Sequence, residues 1–186
     1  MKQNRTSQKK RDRQTSGRYA WAVQVFFLAI GLSAALSLAS QGPLSSAGIL
    51  VAALILALFI ALGIVFDIIG VAVTAADPKP FHSMAAHKEK GAKEALMLLR
   101  NAGKVSSVCN DVVGDICGIV SGTTAAVIVT RLQAAFDLRS VLLSVAVTAL
   151  ISGLTIGGKA LGKTFAIQRS TKVVYWAGRF LHLFHR

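Results

Sequence analysis

The sequence predicts an all-α integral membrane protein: four transmembrane helices, a cytoplasmic juxtamembrane amphipathic helix and a C-terminal interfacial helix. Three observations predict it. Long apolar runs at 19–40, 47–76, 105–130 and 141–158 match, or nearly match, the roughly 20 residues a helix needs to cross hydrocarbon. The chain is 53% apolar and only 16% charged, with a mean hydropathy of +0.57, too apolar for a soluble domain of this size to bury. The formal net charge of +13 would suggest nucleic acid in a soluble protein. Here the basic residues sit between the apolar runs, which fits membrane topology instead, and no specific nucleic acid is expected.

Taken in order, residues 1–18 carry Lys2, Arg5, Lys9, Lys10, Arg11, Arg13 and Arg18 among polar residues. With almost nothing apolar to bury, this is a disordered basic cytoplasmic tail that orients the chain and is drawn to an anionic leaflet. The run 19–40 holds no charge and includes Trp21, Phe26 and Phe27. Ser37-Leu38-Ala39 resembles a signal cleavage site, but the apolar core is longer than a signal's, so an extra, retained N-terminal transmembrane helix is expected. A turn from Gln41 to Ser46 leads to the second span, 47–76, broken only by Asp67. Asp77-Pro78-Lys79-Pro80 ends it, because proline cannot continue a helix and restricts the residue before it.

Residues 81–104 place Phe81, Met84, Ala92, Ala95 and Leu99 at helical spacing opposite Lys88, Lys90, Lys93 and Glu94, an amphipathic helix lying along the membrane surface. His82 and His87 in this segment lack a third ligand at metal spacing and read as solvated. The third span, 105–130, contains Asp111, Asp115, Cys109 and Cys117. Its two cysteines lie about 12 Å apart along a helix axis and cannot pair. The fourth span, 141–158, is followed at 170–186 by Val173, Val174, Trp176, Ala177 and Phe180 on one face and Lys172, Arg179 and His182 on the other, an interfacial helix. Of the 21 Lys and Arg residues, 19 fall in the tail, in 77–104 or in 159–186, and 2 in 131–139. The positive-inside rule therefore predicts a multi-pass plasma-membrane protein with both termini cytoplasmic.

Ionisable groups inside spans are costly and usually face a cavity or a partner, so Asp67, Asp111 and Asp115 are the expected functional residues. They lie about 13, 9 and 15 Å from the cytoplasmic ends of their spans, one layer. Asp111 and Asp115 are four apart beside Gly114, Gly118 and Gly122, a row of small residues that admits a neighbouring helix. Gly63, Asp67 and Gly70 line up similarly on the second span, so the two acidic faces are positioned to meet. Three carboxylates in low dielectric require a positive partner. A hard cation such as Mg²⁺ suits an all-oxygen site. The aspartates would equally serve to fix helix register if protonated or paired with Lys104 or Lys159, and Asp67 could cap a broken helix between Gly63 and Gly70.

From about residue 50 to 184 the chain resembles the transmembrane domain of the CorC and CNNM (cyclin-M) magnesium transporters. The resemblance rests on Phe66-Asp67-Ile68-Ile69-Gly70, the basic segment 81–104, Asn110-Asp111-Val112-Val113-Gly114-Asp115, Gly158-Lys159-Ala160-Leu161-Gly162-Lys163 and Ala166-Ile167-Gln168-Arg169-Ser170. It covers a domain of 47–186. It implies an ion site between helices at Asp67, Asp111, Asp115 and Gly158, and a homodimer. Departures from the family pattern are a serine and two asparagines replaced by aspartates, a glutamate by Lys159 and a proline by Gly162. The family's regulatory domains are expected to be missing, so any nucleotide gating would come from a separate cytoplasmic partner.

The leading expectation is a membrane protein that binds, and translocates, Mg²⁺ or another divalent cation, with Gly63, Gly70, Gly114, Gly118 and Gly122 allowing close helix approach. The alternatives are a non-transporting scaffold or accessory subunit that docks a partner through the basic helices at 81–104 and 170–186, and proton-coupled transport of another solute on the aspartates. No Ser-His-Asp, Cys-His or metal-hydrolase spacing occurs, so an enzyme is not expected.

Overall fold

The computed structural model describes residues 21–41, 48–136 and 141–184. The basic tail, the turn at 42–47 and part of the loop before residue 141 lie outside the described residues. Every element among the described residues is helical: α1 (Trp21–Gln41), α2 (Ile49–Ala75), α3 (Lys79–Ala86), α4 (Ala92–Arg100), α5 (Ala102–Ser107), a π-helical segment π1 (Val108–Gly114), α6 (Asp115–Phe136), α7 (Val141–Gln168) and α8 (Ser170–Phe184). Four stretches are long and apolar enough to cross a membrane: Trp21–Gln41, Ile49–Ala75, Ala102–Ala135 and Ser144–Gln168. The protein is thus a multi-pass α-helical membrane protein.

Helix α2 is the central element and contributes to all three clusters of buried apolar side chains. At one end Ala52 and Leu56 pack with Ala125 and Ile128 of α6. In the middle Phe59 meets Val112, Val113, Ile116 and Val120, and α1 leans on this cluster through Val25, Ala29, Leu32 and Leu36, a stripe at three- and four-residue spacing. At the other end Ala72 and Val73 join Phe81, Ala95, Leu98, Ala166 and Val174, tying the bundle to its amphipathic base.

The punctuation of the chain follows its prolines and glycines. Ala76 is extended (ψ 139°) ahead of Asp77-Pro78, as the residues before a proline tend to be, and Lys79 N–H donates to Asp77 Oδ1 (2.9 Å) to start α3. Residues 81–104 form no single helix. A turn at 87–91, with Lys88 at φ 57° and Gly91 at φ 88°, separates α3 from α4. The left-handed conformation at Gly91 is one a residue with a Cβ adopts only with strain. The third span is one rod from α5 through π1 to α6. The fourth helix runs ten residues past the expected end at Gly158, because nothing between Lys159 and Gln168 is a proline and Gly158 sits inside a packed contact with Ile64. At 28 residues, and 1.5 Å per residue, α7 is about 42 Å long and carries Lys159 and Lys163 into the bundle's polar layer.

The base closes by backbone proximity. A Cβ on Gly178 of α8 would lie 2.5 Å from Gly91 O and 2.8 Å from Ala95 N, so α4 and α8 touch along a line where only glycine fits. His182 Nδ1 donates to Glu94 Oε1 (2.8 Å) across the same contact.

Candidate functional site

Gly63, Asp67 and Gly70 occupy one face of α2, and that face is buried. Against it lies the π1–α6 rod. A Cβ on Gly63 would come within 3.2 Å of Cys117 Cβ, and the carboxamide of Asn110 fills the space a side chain at position 70 would need. Asp67 lies between these two contact points. The third wall is α7, where Gly158 and Gly162 admit the side chains of Ile64 and Ile68; Cβ atoms there would meet them at 2.5 and 3.0 Å. This close approach delivers two ammonium groups. Lys159 Nζ lies 3.8 Å from the position a Cβ on Gly114 would take, and Lys163 Nζ lies 4.0 Å from Asp67 Oδ2.

Polar groups in this seam are incompletely satisfied. The Asp67 side chain is 7% exposed, and its Oδ2 has no hydrogen-bond partner among the described residues. Asn110 Nδ2 donates to Ser106 Oγ (3.3 Å), while its Oδ1 faces Gly70 without a partner. Ser121 Oγ, about three helical turns further along the rod, is also buried and unpartnered. Buried polar groups are normally hydrogen-bonded, and each exception calls for a physical reason. The lysine supplies only part of one: Lys163 is 54% exposed and sits at the outer limit of an ion pair, where solvent screening leaves little energy. Asn110 belongs to the π-helical turn Val108–Gly114, a wide-turn geometry that often marks functional positions.

The structure does not gather the three aspartates. Asp67 is buried, whereas Asp111 and Asp115 are exposed in the single chain, and Asp111 accepts a hydrogen bond from Ser107 Oγ (2.8 Å). Among the described residues no three His, Cys, Asp or Glu side chains are grouped to hold a metal. The reason is rotation about one helix axis. The stripe of the rod that meets α2 is Asn110, Gly114, Cys117, Ser121 and Thr124; Asp111, Asp115, Gly118 and Gly122 run beside it, about 100° away per residue of offset. Gly118 and Gly122 accordingly have open space where a Cβ would point, while Gly63, Gly70 and Gly158 are filled contacts. Gly158 is thus a packing position against Ile64. Helix α2 is continuous past Gly63 and Gly70, so Asp67 caps no break, and Lys104 stands over the Trp21 ring at 5.0 Å rather than near an aspartate. His82 and His87 are exposed, and Cys109 and Cys117 are buried free thiols.

Two participants escaped the sequence reading. Asn110 is adjacent to Asp111, and the usable signal is its amide, the one carboxamide on the stripe that also carries Gly114 and Cys117. In the sequence, Lys163 stands out only as the end of the Gly158–Lys163 motif. Its distance of four from Lys159 places both ammoniums on one side of α7.

Spanning helices drawn together by glycines around a buried carboxylate, an amide and two lysines define a polytopic membrane protein with a polar intramembrane seam. The family model for the cyclin M transmembrane N-terminal domain matches residues 25–186. The chain belongs to that family, and the match includes most of α1, which the resemblance read from the sequence left outside the domain. Comparison with curated proteins and with solved structures returned no match.

Proposed function

We propose that the protein binds a divalent cation, with Mg²⁺ the best-suited ion, in the seam between α2, π1 and α7 and carries it across the plasma membrane. The observation that supports this reading is the pair of buried, unpartnered oxygens, Asp67 Oδ2 and Asn110 Oδ1, both on the Gly63–Gly70 side of α2. Oxygen donors of this hardness suit a small cation that keeps part of its water shell. Family membership supports the same class of cargo. In the working form the chain is a homodimer: Asp111 and Asp115 lie at membrane depth on an exposed face, and carboxylates there are expected to turn to a partner or to water rather than to acyl chains. The row continuing through Gly118 and Gly122 admits a second helix closely. The distribution of 19 basic residues against 2 supports cytoplasmic termini.

The experiment is Mg²⁺-dependent thermal unfolding of the purified chain, with Mg²⁺ flux into proteoliposomes. Wild type is expected to gain stability with rising Mg²⁺ and to pass the ion; Asp67→Asn is expected to lose both responses while its metal-free stability stays within about 1 kcal/mol, because the Lys163 pair it removes is half exposed. Asp111→Asn is expected to keep a weaker Mg²⁺ response. Equal, Mg²⁺-independent unfolding of wild type and Asp67→Asn would sink the site.

A second reading, a non-transporting scaffold or accessory subunit, is favoured by one observation: Lys163 already neutralises Asp67 in part. On that reading Lys163→Ala destabilises the chain and no Mg²⁺ response emerges. On the transport reading the same variant strengthens Mg²⁺ binding, since a competing cation has been removed.

A further inference from the structure

A second cavity lies away from the polar seam. It occupies about 730 Å³ between α2, the α4–π1 segment and α8, with Phe66 and Ile69 of α2, Leu98 of α4, Cys109 of π1 and Trp176 and Phe180 of α8 in its wall. Its volume is that of a small-molecule site. At ~100° per residue, Val65 and Ile69 lie about 160° round α2 from Asp67, so the cleft opens on the opposite side of α2 from that carboxylate, and Ile68 stands between the two regions.

Its wall is apolar with one exception, Lys172, the only charged residue lining it. No carboxylate pairs with Lys172 among the described residues. Lys172, Trp176 and Arg179 follow one another at four- and three-residue spacing along α8, and the Arg179 guanidinium stands 5.7 Å from the Trp176 ring centre. Trp176 and Phe180 are 65% and 63% exposed, so the cleft opens outward along α8. An apolar cleft open at membrane depth is filled by what the bilayer supplies, which is acyl chain. Its mouth carries a tryptophan, the residue that settles at headgroup level, and an unpaired cation beside it.

We propose that this cleft is a binding site for one anionic phospholipid, with an acyl chain between α2 and α8 and the phosphate at Lys172. The occupant is an amphiphile because the wall is greasy and the mouth is charged, and it is anionic because Lys172 has no carboxylate partner among the described residues. Bound there, the lipid braces α8 against α2 independently of any ion in the seam.

The test uses the full chain in nanodiscs with Trp21→Phe, which leaves Trp176 as the sole tryptophan of the two in the sequence. Phosphatidylglycerol with brominated acyl chains is expected to quench Trp176 at about fivefold lower mole fraction than brominated phosphatidylcholine, the preference one lysine confers at an anionic surface. Lys172→Gln removes that preference, Lys172→Arg keeps it, and the control Lys93→Gln on α4 leaves it unchanged. Equal quenching by the two lipids, or a preference that survives in Lys172→Gln, overturns the proposal. So does a loss in Lys93→Gln as large as in Lys172→Gln, which would make the attraction a property of total charge. Abolition of the preference by soluble glycerol 3-phosphate overturns it in favour of free phosphate, and a lower oligomeric mass in Lys172→Gln overturns it in favour of a second copy of the chain.

Discussion

The base of the molecule, where α4 crosses α8, and the seam, where α2 meets π1 and α7, are built with the same device and finished differently. Both rely on glycines that let backbones touch. At the base, Gly91 and Gly178 bring two amphipathic helices together, and the polar groups that come with them are matched, His182 against Glu94 at 2.8 Å. In the seam, Gly63, Gly70 and Gly158 bring three spans together, and the polar groups that come with them are left short: Asp67 Oδ2 and Asn110 Oδ1 have no hydrogen-bond partner among the described residues. Close packing alone does not produce unsatisfied oxygens, since the base has none of the three such atoms. Leaving such oxygens unpartnered costs about 1–3 kcal/mol each, and the proposed ion would offset that cost.

That contrast is open to attack at three points, with effects that fall in size. Gly178→Ala is expected to cost the most, about 3 kcal/mol, because the added methyl meets Gly91 O and Ala95 N, backbone atoms that cannot swing aside. Thermal unfolding in detergent reads the loss, and the Mg²⁺ response of the protein that remains folded should be intact. Gly70→Ala should cost less, about 2 kcal/mol, since the obstacle is the Asn110 carboxamide, which can rotate away. Its signature is different: the Mg²⁺-dependent shift in melting temperature should vanish, and a shift retained at wild-type size would mean Asn110 has no part in the site. His182→Ala should cost least, about 0.5 kcal/mol, as expected of a hydrogen bond whose donor side chain is 44% exposed; a loss several times larger would show that the base depends on its polar pair rather than on glycine contact.

The fold was largely legible because spanning helices announce themselves locally. Tyr19 to Ser40 and Ala47 to Ala76 are long apolar runs, the second broken only by Asp67, and Asp77-Pro78 stops it where the structure stops it. The interruption at 87–91 was less visible: Gly91 marks it, but Lys88 in a left-handed conformation carries no composition signal. The length of α7 was misread for the opposite reason, since charged residues after Gly158 resembled an end when the helix simply continues into the polar layer.

The acidic layer was only half legible. Asp67 stood out as the sole charge in its span, and it is buried as expected. Asp111 and Asp115 stood out equally, yet they run along the exposed side of the third span, beside the stripe that faces α2. Height along a span follows from counting residues along an axis, so the sequence alone supports the expectation that the three aspartates share one layer. Azimuth does not follow from counting, because a shift of one residue turns a side chain by about 100°.

By itself, then, the sequence determined that the chain crosses a membrane and where its long apolar helices lie, because hydropathy and length are properties of each segment alone. Tertiary structure decided which side chains meet. Contacts at Gly63, Gly70, Gly158 and Gly162 set how closely three helices approach and how each is rotated, and this placed Asn110 and Lys163, rather than Asp111 and Asp115, beside Asp67. Rotation of a helix is set by the shapes packed against it, and those shapes exist only once the neighbouring helices are in place.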